Sequence, residues 1–375
     1  MHVTLHLTSG CNFDCAYCYS PPRVRHDMDS DTLRQAIEYV ARTFPPNTGL
    51  IYFGGEPLLR KDLIHQGVAQ VEGIQKENGW YAHHKLTTNG SLLDEAFVAW
   101  AREHRVEIAL SLDGVKSAHD KFRRFKSGDP SFDVLQPKID LLLASQPYAK
   151  ALMTVGPATL DHYADSFAWL VERGFRYVVA SLDYSGDWTD ADVVRLEKQY
   201  HKIAKLYERY IREERKFYFS PFEMKLATHI KQDRIECYQC HLGKRQISIS
   251  PQGDIYPCSQ FVKDGVSNTD WRIGNVLEGI DAAVQERLYL QSREAEKACL
   301  SCVYHPRCNN KCACQNWHLT GTVNGISPKL CECERVLFPI VDELGAKLFE
   351  ESRAMFVQKH YNSVYPILSM MEDRR

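Results

Sequence analysis

The sequence predicts an α/β protein: a partial (β/α)6 TIM-like barrel, then a small cysteine-rich domain with a β-hairpin and C-terminal helices. Three observations predict it. Six short β-type runs alternate with amphipathic helical stretches through the first half of the chain. At Cys237 the composition changes: cysteine, glycine and asparagine rise, and long periodic segments cease. Helical patterning returns over residues 334–362.

The candidate strands cover residues 3–8, 50–53, 84–88, 107–112, 150–155 and 177–182. Helical stretches at 32–42, 63–75, 92–102, 137–144 and 160–172 lie between them, and a longer one at 190–214 follows the sixth strand. Strand–helix units in series imply a parallel sheet with right-handed crossovers, and in a barrel of that kind function sits at the C-terminal strand ends. The expected boundaries are a barrel over 1–215, a connection over 216–236, the cysteine-rich domain over 237–335, and C-terminal helices with a poorly specified tail over 336–375. Ser250-Pro251-Gln252-Gly253-Asp254 predicts a hairpin turn between residues 246–249 and 255–257. A segment so poor in apolar periodicity cannot bury a large core, so bound metal is expected to organise it.

Composition narrows the function. The chain has 375 residues, 44% of them hydrophobic and 25% charged, which suits a globular protein with a real core. A formal net charge of −2 argues against nucleic acid or an anionic membrane as partner. No apolar run reaches the roughly 18 residues of a membrane span. Residues 1–9 alternate apolar and polar side chains and lack a signal-peptide pattern, so a cytoplasmic location is expected. The 13 cysteines are then reduced thiols, to be read as metal or redox ligands, and their odd number argues against a complete disulfide framework.

Cys11, Cys15 and Cys18 form C-x3-C-x2-C directly after the first strand. Three thiolates on one loop hold three irons of a [4Fe–4S] cube and leave the fourth open as a binding site. A structural zinc site needs four ligands, and no fourth lies near in sequence. The loop Cys11-Asn12-Phe13-Asp14-Cys15-Ala16-Tyr17-Cys18-Tyr19 resembles the signature of the radical S-adenosylmethionine (SAM) superfamily. The resemblance continues at the ends of successive strands. Gly54-Gly55-Glu56-Pro57 is similar to the element that receives the SAM amino group, Thr87-Thr88-Asn89-Gly90 ends the third strand, and Ser111-Leu112-Asp113-Gly114 ends the fourth. It implies Ser111 at the SAM ribose, Arg123 at its carboxylate and the Tyr17 backbone by the adenine. Asn89, Asp113 and Leu182 are the other implied cofactor-facing positions. Singly, each has a plainer reading: a tight turn at Gly54-Gly55, a turn at Asp113-Gly114, a solvated charge at Arg123 as at Arg124. Their order at successive strand ends argues for the cofactor.

The later cysteines are spaced Cys240-x12-Gly253-x4-Cys258, then Cys299-x2-Cys302-x5-Cys308-x3-Cys312-x18-Cys331. This resembles the SPASM domain and implies two auxiliary [4Fe–4S] clusters, three clusters in all. Cys240, Cys258 and Cys312 would hold the inner one, with Cys237 as the natural fourth ligand. Cys299, Cys302, Cys308 and Cys331 would hold the outer one. Cys237 is only three residues before Cys240; if it does not reach, the inner cluster keeps an open iron. Cys314 and Cys333 each sit two residues past an expected ligand and read as buried thiols or substitutes. A zinc ribbon built on the C-x2-C pairs is the competing reading of this segment.

The resemblance implies reductive cleavage of SAM to methionine and a 5′-deoxyadenosyl radical. A peptide substrate is expected, cysteine-rich or leader-bearing, modified by a thioether link, another crosslink or an oxidised residue. A flavodoxin or ferredoxin is expected as electron donor. The alternatives are an oxidase like the anaerobic sulfatase maturases and a dehydrogenase of small molecules. Many maturases carry an acid after the cysteine matching Cys258, and this chain has Ser259. Asp183 is a candidate acid that reads equally as an ordinary loop residue, so the catalytic base stays unassigned. A first strand beginning at about Val3 leaves no room for an N-terminal leader-recognition domain. A multicluster electron carrier fails to account for a matched SAM site.

Overall fold

The computed structural model describes residues 1–19, 25–231, 240–262, 270–308, 312–362 and 364–373. In chain order the elements are β1 (His2–Thr8), α1 (Ser30–Thr43), β2 (Thr48–Gly54), α2 (Lys61–Asn78), β3 (Ala82–Thr88), α3 (Glu95–Glu103), β4 (Glu107–Ser111), α4 (Lys116–Phe122), α5 (Phe132–Ser145), β5 (Lys150–Val155), α6 (Tyr163–Arg173), β6 (Tyr177–Leu182), α7 (Asp190–Arg212), β7 (Tyr218–Phe219) and α8 (Ser220–Lys231). Then come β8 (Gln246–Ile249), β9 (Asp254–Tyr256), β10 (Gly274–Asn275), β11 (Gly279–Ile280), α9 (Ala282–Arg293), α10 (Lys297–Leu300), α11 (Ala313–Thr320), α12 (Pro328–Glu350), α13 (Ala354–Tyr361) and α14 (Tyr365–Asp373). The α/β class with a parallel sheet is as expected. The chain forms two compact units. One comprises Met1–Ser111, Phe122–Leu141 and Cys240–Glu294; the other comprises Leu112–Lys121, Leu142–Gln239 and Ala295–Arg375.

In the first unit the strand order is β11-β10-β9-β8-β1-β2-β3-β4, and β1 to β4 run parallel. Helix α1 starts where the Asp29 carboxylate accepts the Thr32 N–H and buries Leu33, Ala36, Ile37 and Val40 on one face. Helix α2 ends at Gly79, whose φ of 78° allows the left-handed cap. Tyr52 on β2 packs so closely on Gly67 of α2 that a Cβ there would stand 2.9 Å from the Tyr52 hydroxyl. The side of the sheet carrying Tyr52 therefore faces the helices. Side chains alternate along a strand, so Thr4, Ile51, Phe53, Lys85 and Thr87 point the other way, and all of these are only half-buried.

The hairpin expected from the turn residues is β8–β9, with Gly253 at φ 82°. Its placement was not legible: β8 pairs in parallel with β1, His2 against Gln246 through Leu5 against Ile249. The pairing satisfies the free backbone edge that β1 would otherwise expose. Helix α9 also lies in the stretch that showed no long periodicity; it is capped by the Asp281 carboxylate on the Ala283 and Val284 N–H groups.

In the second unit β5, β6 and β7 run parallel in that order. The stretch read as a connection holds β7 and α8 as far as Lys231, and residues 232–236 lie outside the described residues. Helix α7 opens with a reciprocal cap between Thr189 and Asp192. The Lys225 ammonium on α8, 1% exposed, donates to Glu334 on α12 at 2.5 Å. The tail expected to be poorly specified is helical to Asp373. That carboxylate is 1% exposed and accepts from Tyr177 Oη at 2.6 Å, Lys216 Nζ at 2.9 Å and the Arg176 guanidinium. Such a distant polar anchor leaves no trace in local periodicity.

Candidate cofactor and iron–sulfur site

The loop after β1 carries the first three cysteines. The chain leaves β1 at Thr8 and returns alongside it, with Ser9 N–H on the His26 carbonyl and Met28 N–H on the Leu7 carbonyl. The Cys18 N–H donates to the Cys15 carbonyl at 2.9 Å, closing a tight turn. Phe13 and Phe125 pair as an isolated bridge with rings 4.7 Å apart, and Asp14 N–H donates to the Arg124 carbonyl at 2.8 Å. These contacts shape the backbone around the three cysteines. Cys11 and Cys15 are half-buried and Cys18 is exposed. Burial pushes the Cys11 thiol up to about 11, and nearby Glu56 and Cys18 add to this against the Phe13 N–H and the Asn89 amide. A metal must displace that proton to bind.

The turn after β2 explains its glycines. Gly54 has φ 135°, and a Cβ there would fall 2.1 Å from the Thr8 carbonyl oxygen. A Cβ on Gly55 would fall 2.2 Å from the Gly10 carbonyl oxygen. The same carbonyls accept Gly55 N–H and Glu56 N–H, both at 2.8 Å. This contact seats Glu56 under the cysteine loop. Its side chain is fully buried and accepts from Leu58 N–H at 2.9 Å, Thr88 Oγ1 at 2.7 Å and Asn89 N–H at 2.7 Å. Burial outweighs those donors and raises its carboxyl from 4.5 to about 7.

Asn89, at the end of β3, reaches the same loop. Its Nδ2 donates to Asn12 Oδ1 at 2.8 Å, Asn12 Nδ2 donates to Ser91 Oγ at 2.8 Å, and Ser91 Oγ donates to Asn89 Oδ1 at 2.7 Å. Sequence reasoning named Asn89 and missed its partners Asn12 and Ser91; the adjacency of Asn12 to Cys11 was the available signal. Arg123 is 7% exposed, with its guanidinium 5.2 Å from the centre of the Tyr17 ring. Arg124 is exposed and donates to the Gly128 carbonyl.

The first unit therefore gathers Cys11, Cys15, Cys18, Tyr17, Gly54 to Pro57, Asn89 and Arg123 at strand ends, with Ser111 ending β4. Asp113 and Leu182 belong to the second unit. There Asp113 Oδ1 accepts Thr154 N–H at 2.9 Å, and Leu182, which ends β6, is 8% exposed.

Of the later cysteines, Cys240 and Cys258 lie in the first unit, and Cys299, Cys302, Cys308, Cys312 and Cys331 lie in the second. Cys237 lies outside the described residues. Cys302 N–H donates to the Cys299 carbonyl at 3.1 Å and His305 N–H to the Cys302 carbonyl at 3.0 Å. The Cys331 thiol, in the first turn of α12, is raised by burial and by neighbouring Cys299 and Cys302. Among the described residues no three His, Cys, Asp or Glu side chains converge on a position for a single metal ion. A cube spreads its thiolates over separate irons and asks for wider spacing than a single ion does; Cys18 lies near enough to Cys11, and Cys299 and Cys302 near enough to Cys331, to help raise those thiols. The two spare cysteines differ. Cys333 is a buried thiol on α12, pushed up to about 12 by burial, whereas Cys314 touches Cys312, Sγ to Sγ 3.4 Å.

Comparisons with known proteins place the chain in a family and a fold. Residues 5–199 match the family model described as the Radical SAM superfamily, and residues 240–313 match SPASM, an iron–sulfur cluster-binding domain. The serine-type anaerobic sulfatase-maturating enzyme of Bacteroides thetaiotaomicron is 23% identical over 338 residues, 80% of each chain. Among solved structures, native anSMEcpe with bound AdoMet and Cp18Cys peptide superposes with a TM-score of 0.77 at 17% identity, covering 92% of this chain and 99% of that one. Streptococcus suis SuiB bound to precursor peptide SuiA gives 0.63 at 15% identity, covering 88% and 75%.

Proposed function

Because the chain belongs to the radical SAM superfamily and carries a SPASM domain, we propose that it modifies a peptide, as maturase of a ribosomally made precursor. It is an enzyme that uses SAM and iron–sulfur clusters. No helix among the described residues is long and apolar enough to cross a membrane. The observation that carries the proposal is one chain with both cysteine sets, similar over most of its length to maturases that act on protein substrates. The products we infer are a thioether link, another crosslink or an oxidised residue.

In this reading Cys11, Cys15 and Cys18 anchor the first cluster. Cys240, Cys258 and Cys312 with Cys237, and Cys299, Cys302, Cys308 and Cys331, anchor the auxiliary pair. When bound, these groups supply a 5′-deoxyadenosyl radical from SAM and a sink for the electron that the substrate gives up. The protein's own part is to hold and orient. The strand end at Gly54-Gly55-Glu56-Pro57 takes the SAM ammonium, Arg123 its carboxylate, Ser111 its ribose, and the Tyr17 backbone lies by the adenine. Asn89 fixes Asn12 and the Cys11 loop.

Two outcomes follow, the first for SAM. Arg123→Ala weakens its binding by roughly 1.5–3 kcal/mol, the range for a charged hydrogen bond, or about ten- to hundredfold in Kd. Isothermal titration of the anaerobically reconstituted protein measures it, and an unchanged Kd leaves Arg123 a packing residue. Glu56 makes the stability of the SAM-free protein depend on pH: burial raises its folded value, so the protonated carboxyl favours the fold, and that contribution is lost as pH rises from 4.5 to about 7. Glu56→Gln removes this part of the pH dependence, which thermal unfolding over that range would reveal.

The peptide reading is tested by mass spectrometry of cysteine-containing peptides incubated with enzyme, SAM and reductant. A crosslinked product is lighter by two hydrogens; peptides left unchanged while sugars or alcohols are oxidised would favour the small-molecule dehydrogenase. Sulfatase maturation is the second reading, favoured by the relatives. Against it stands Ser259, in a short 3-10 turn directly after Cys258, where a maturase base would be acidic.

A further inference from the structure

We propose that Cys312 and Cys314 are alternative ligands for one iron of an auxiliary cluster, an inference that rests on the reading that Cys312 holds such a cluster. Cys312 is the N-cap of α11 and Cys314 its second residue. Side chains two apart on a helix do not face each other. Here the cap residue is extended, with φ −76° and ψ 102°, and the two sulfurs meet at 3.4 Å. Cys314 is 2% exposed. Helix α11 starts without a side-chain cap.

Each iron of a cube is held by three sulfides and has one outer position. Thiolates on neighbouring irons diverge, so two sulfurs in contact address the same iron and take it in turn. When Cys314 replaces Cys312, its proton passes to the Cys312 sulfur, one iron–sulfur bond breaks and one forms, and no electron changes hands. The corner thus keeps a spare ligand. Cys333 differs: it and Cys331 lie two residues apart inside α12, where side chains at that spacing do not face each other.

The full chain is reconstituted anaerobically as Cys312→Ala, Cys314→Ala and the double variant, with gel filtration and circular dichroism to check folding. Iron and sulfide per chain and electron paramagnetic resonance of the reduced protein are read. Each single variant is expected to keep its full iron, with the auxiliary signal shifted in Cys312→Ala; the double variant, whose corner has no thiol left, loses about four irons if Cys237 is not a ligand, or shows a signal distinct from that of Cys312→Ala if three anchors keep the cube. Loss of those irons from Cys312→Ala alone makes Cys314 a mere buried thiol and overturns the inference while the reading of Cys312 stands. Loss from Cys314→Ala alone makes Cys314 the sole ligand and also overturns it. Full iron in the double variant with the wild-type auxiliary signal overturns the assignment of Cys312 and the inference with it, and full iron with the signal of Cys312→Ala overturns the inference alone. Should the double variant misfold, full iron with a shifted auxiliary signal in folded Cys312→Ala supports the inference and loss of iron there defeats it.

Discussion

Cys15→Ala abolishes 5′-deoxyadenosine formation, leaving only the background of reductant and SAM without protein. The turn offers three thiols and no more: Cys11, seated by the Phe13 N–H and the Asn89 amide; Cys18, held by its N–H on the Cys15 carbonyl; and Cys15 itself. The alanine backbone keeps that carbonyl, so the loop persists and only the ligand is lost. Two anchors do not hold a cube whose fourth iron is already without a protein ligand. Iron falls by about four per chain, and the auxiliary cysteines keep the remainder. Chromatography with mass detection of 5′-deoxyadenosine reads the outcome. Substantial formation by the reconstituted variant would remove Cys15 from the first cluster.

Gly54→Ala is expected to be the most damaging single change at the turn after β2. The new methyl group falls 2.1 Å from a backbone carbonyl that cannot swing aside, because the Thr8 oxygen also accepts Gly55 N–H. The φ of 135° adds strain for any side chain. Strain and overpacking together cost roughly 2–6 kcal/mol. The cysteine loop and Glu56 move apart, and SAM binding is lost with them. Gly79→Ala is the control: its φ is 78° but nothing lies within 4 Å, so it costs only about 1 kcal/mol. Thermal unfolding of both variants measures the contrast. Equal small losses would reduce Gly54-Gly55 to an ordinary turn.

The strands were legible because each is a short apolar run bounded by turn residues, and β5 and β6 fall on their expected limits. The cysteines and Gly54 to Pro57 were legible because their chemistry is local in sequence. What was hidden is what depends on pairing across the chain. Nothing in Gln246–Ile249 announces that it lies beside β1. Nothing near Ser91 announces Asn12, 79 residues away. The raised carboxyl of Glu56 depends on complete burial, which the sequence does not display. Asp373 anchors α14 through Arg176 and Tyr177 at the start of β6 and Lys216 just before β7, a contact no periodicity encodes.

The metal content of the anaerobically reconstituted wild-type chain tests the account most directly. One catalytic and two auxiliary cubes predict about twelve irons and about twelve sulfides per chain, with no stoichiometric zinc. About four irons together with one or two zinc ions would contradict it, leaving a single cluster at Cys11, Cys15 and Cys18 and a zinc-bound C-terminal domain.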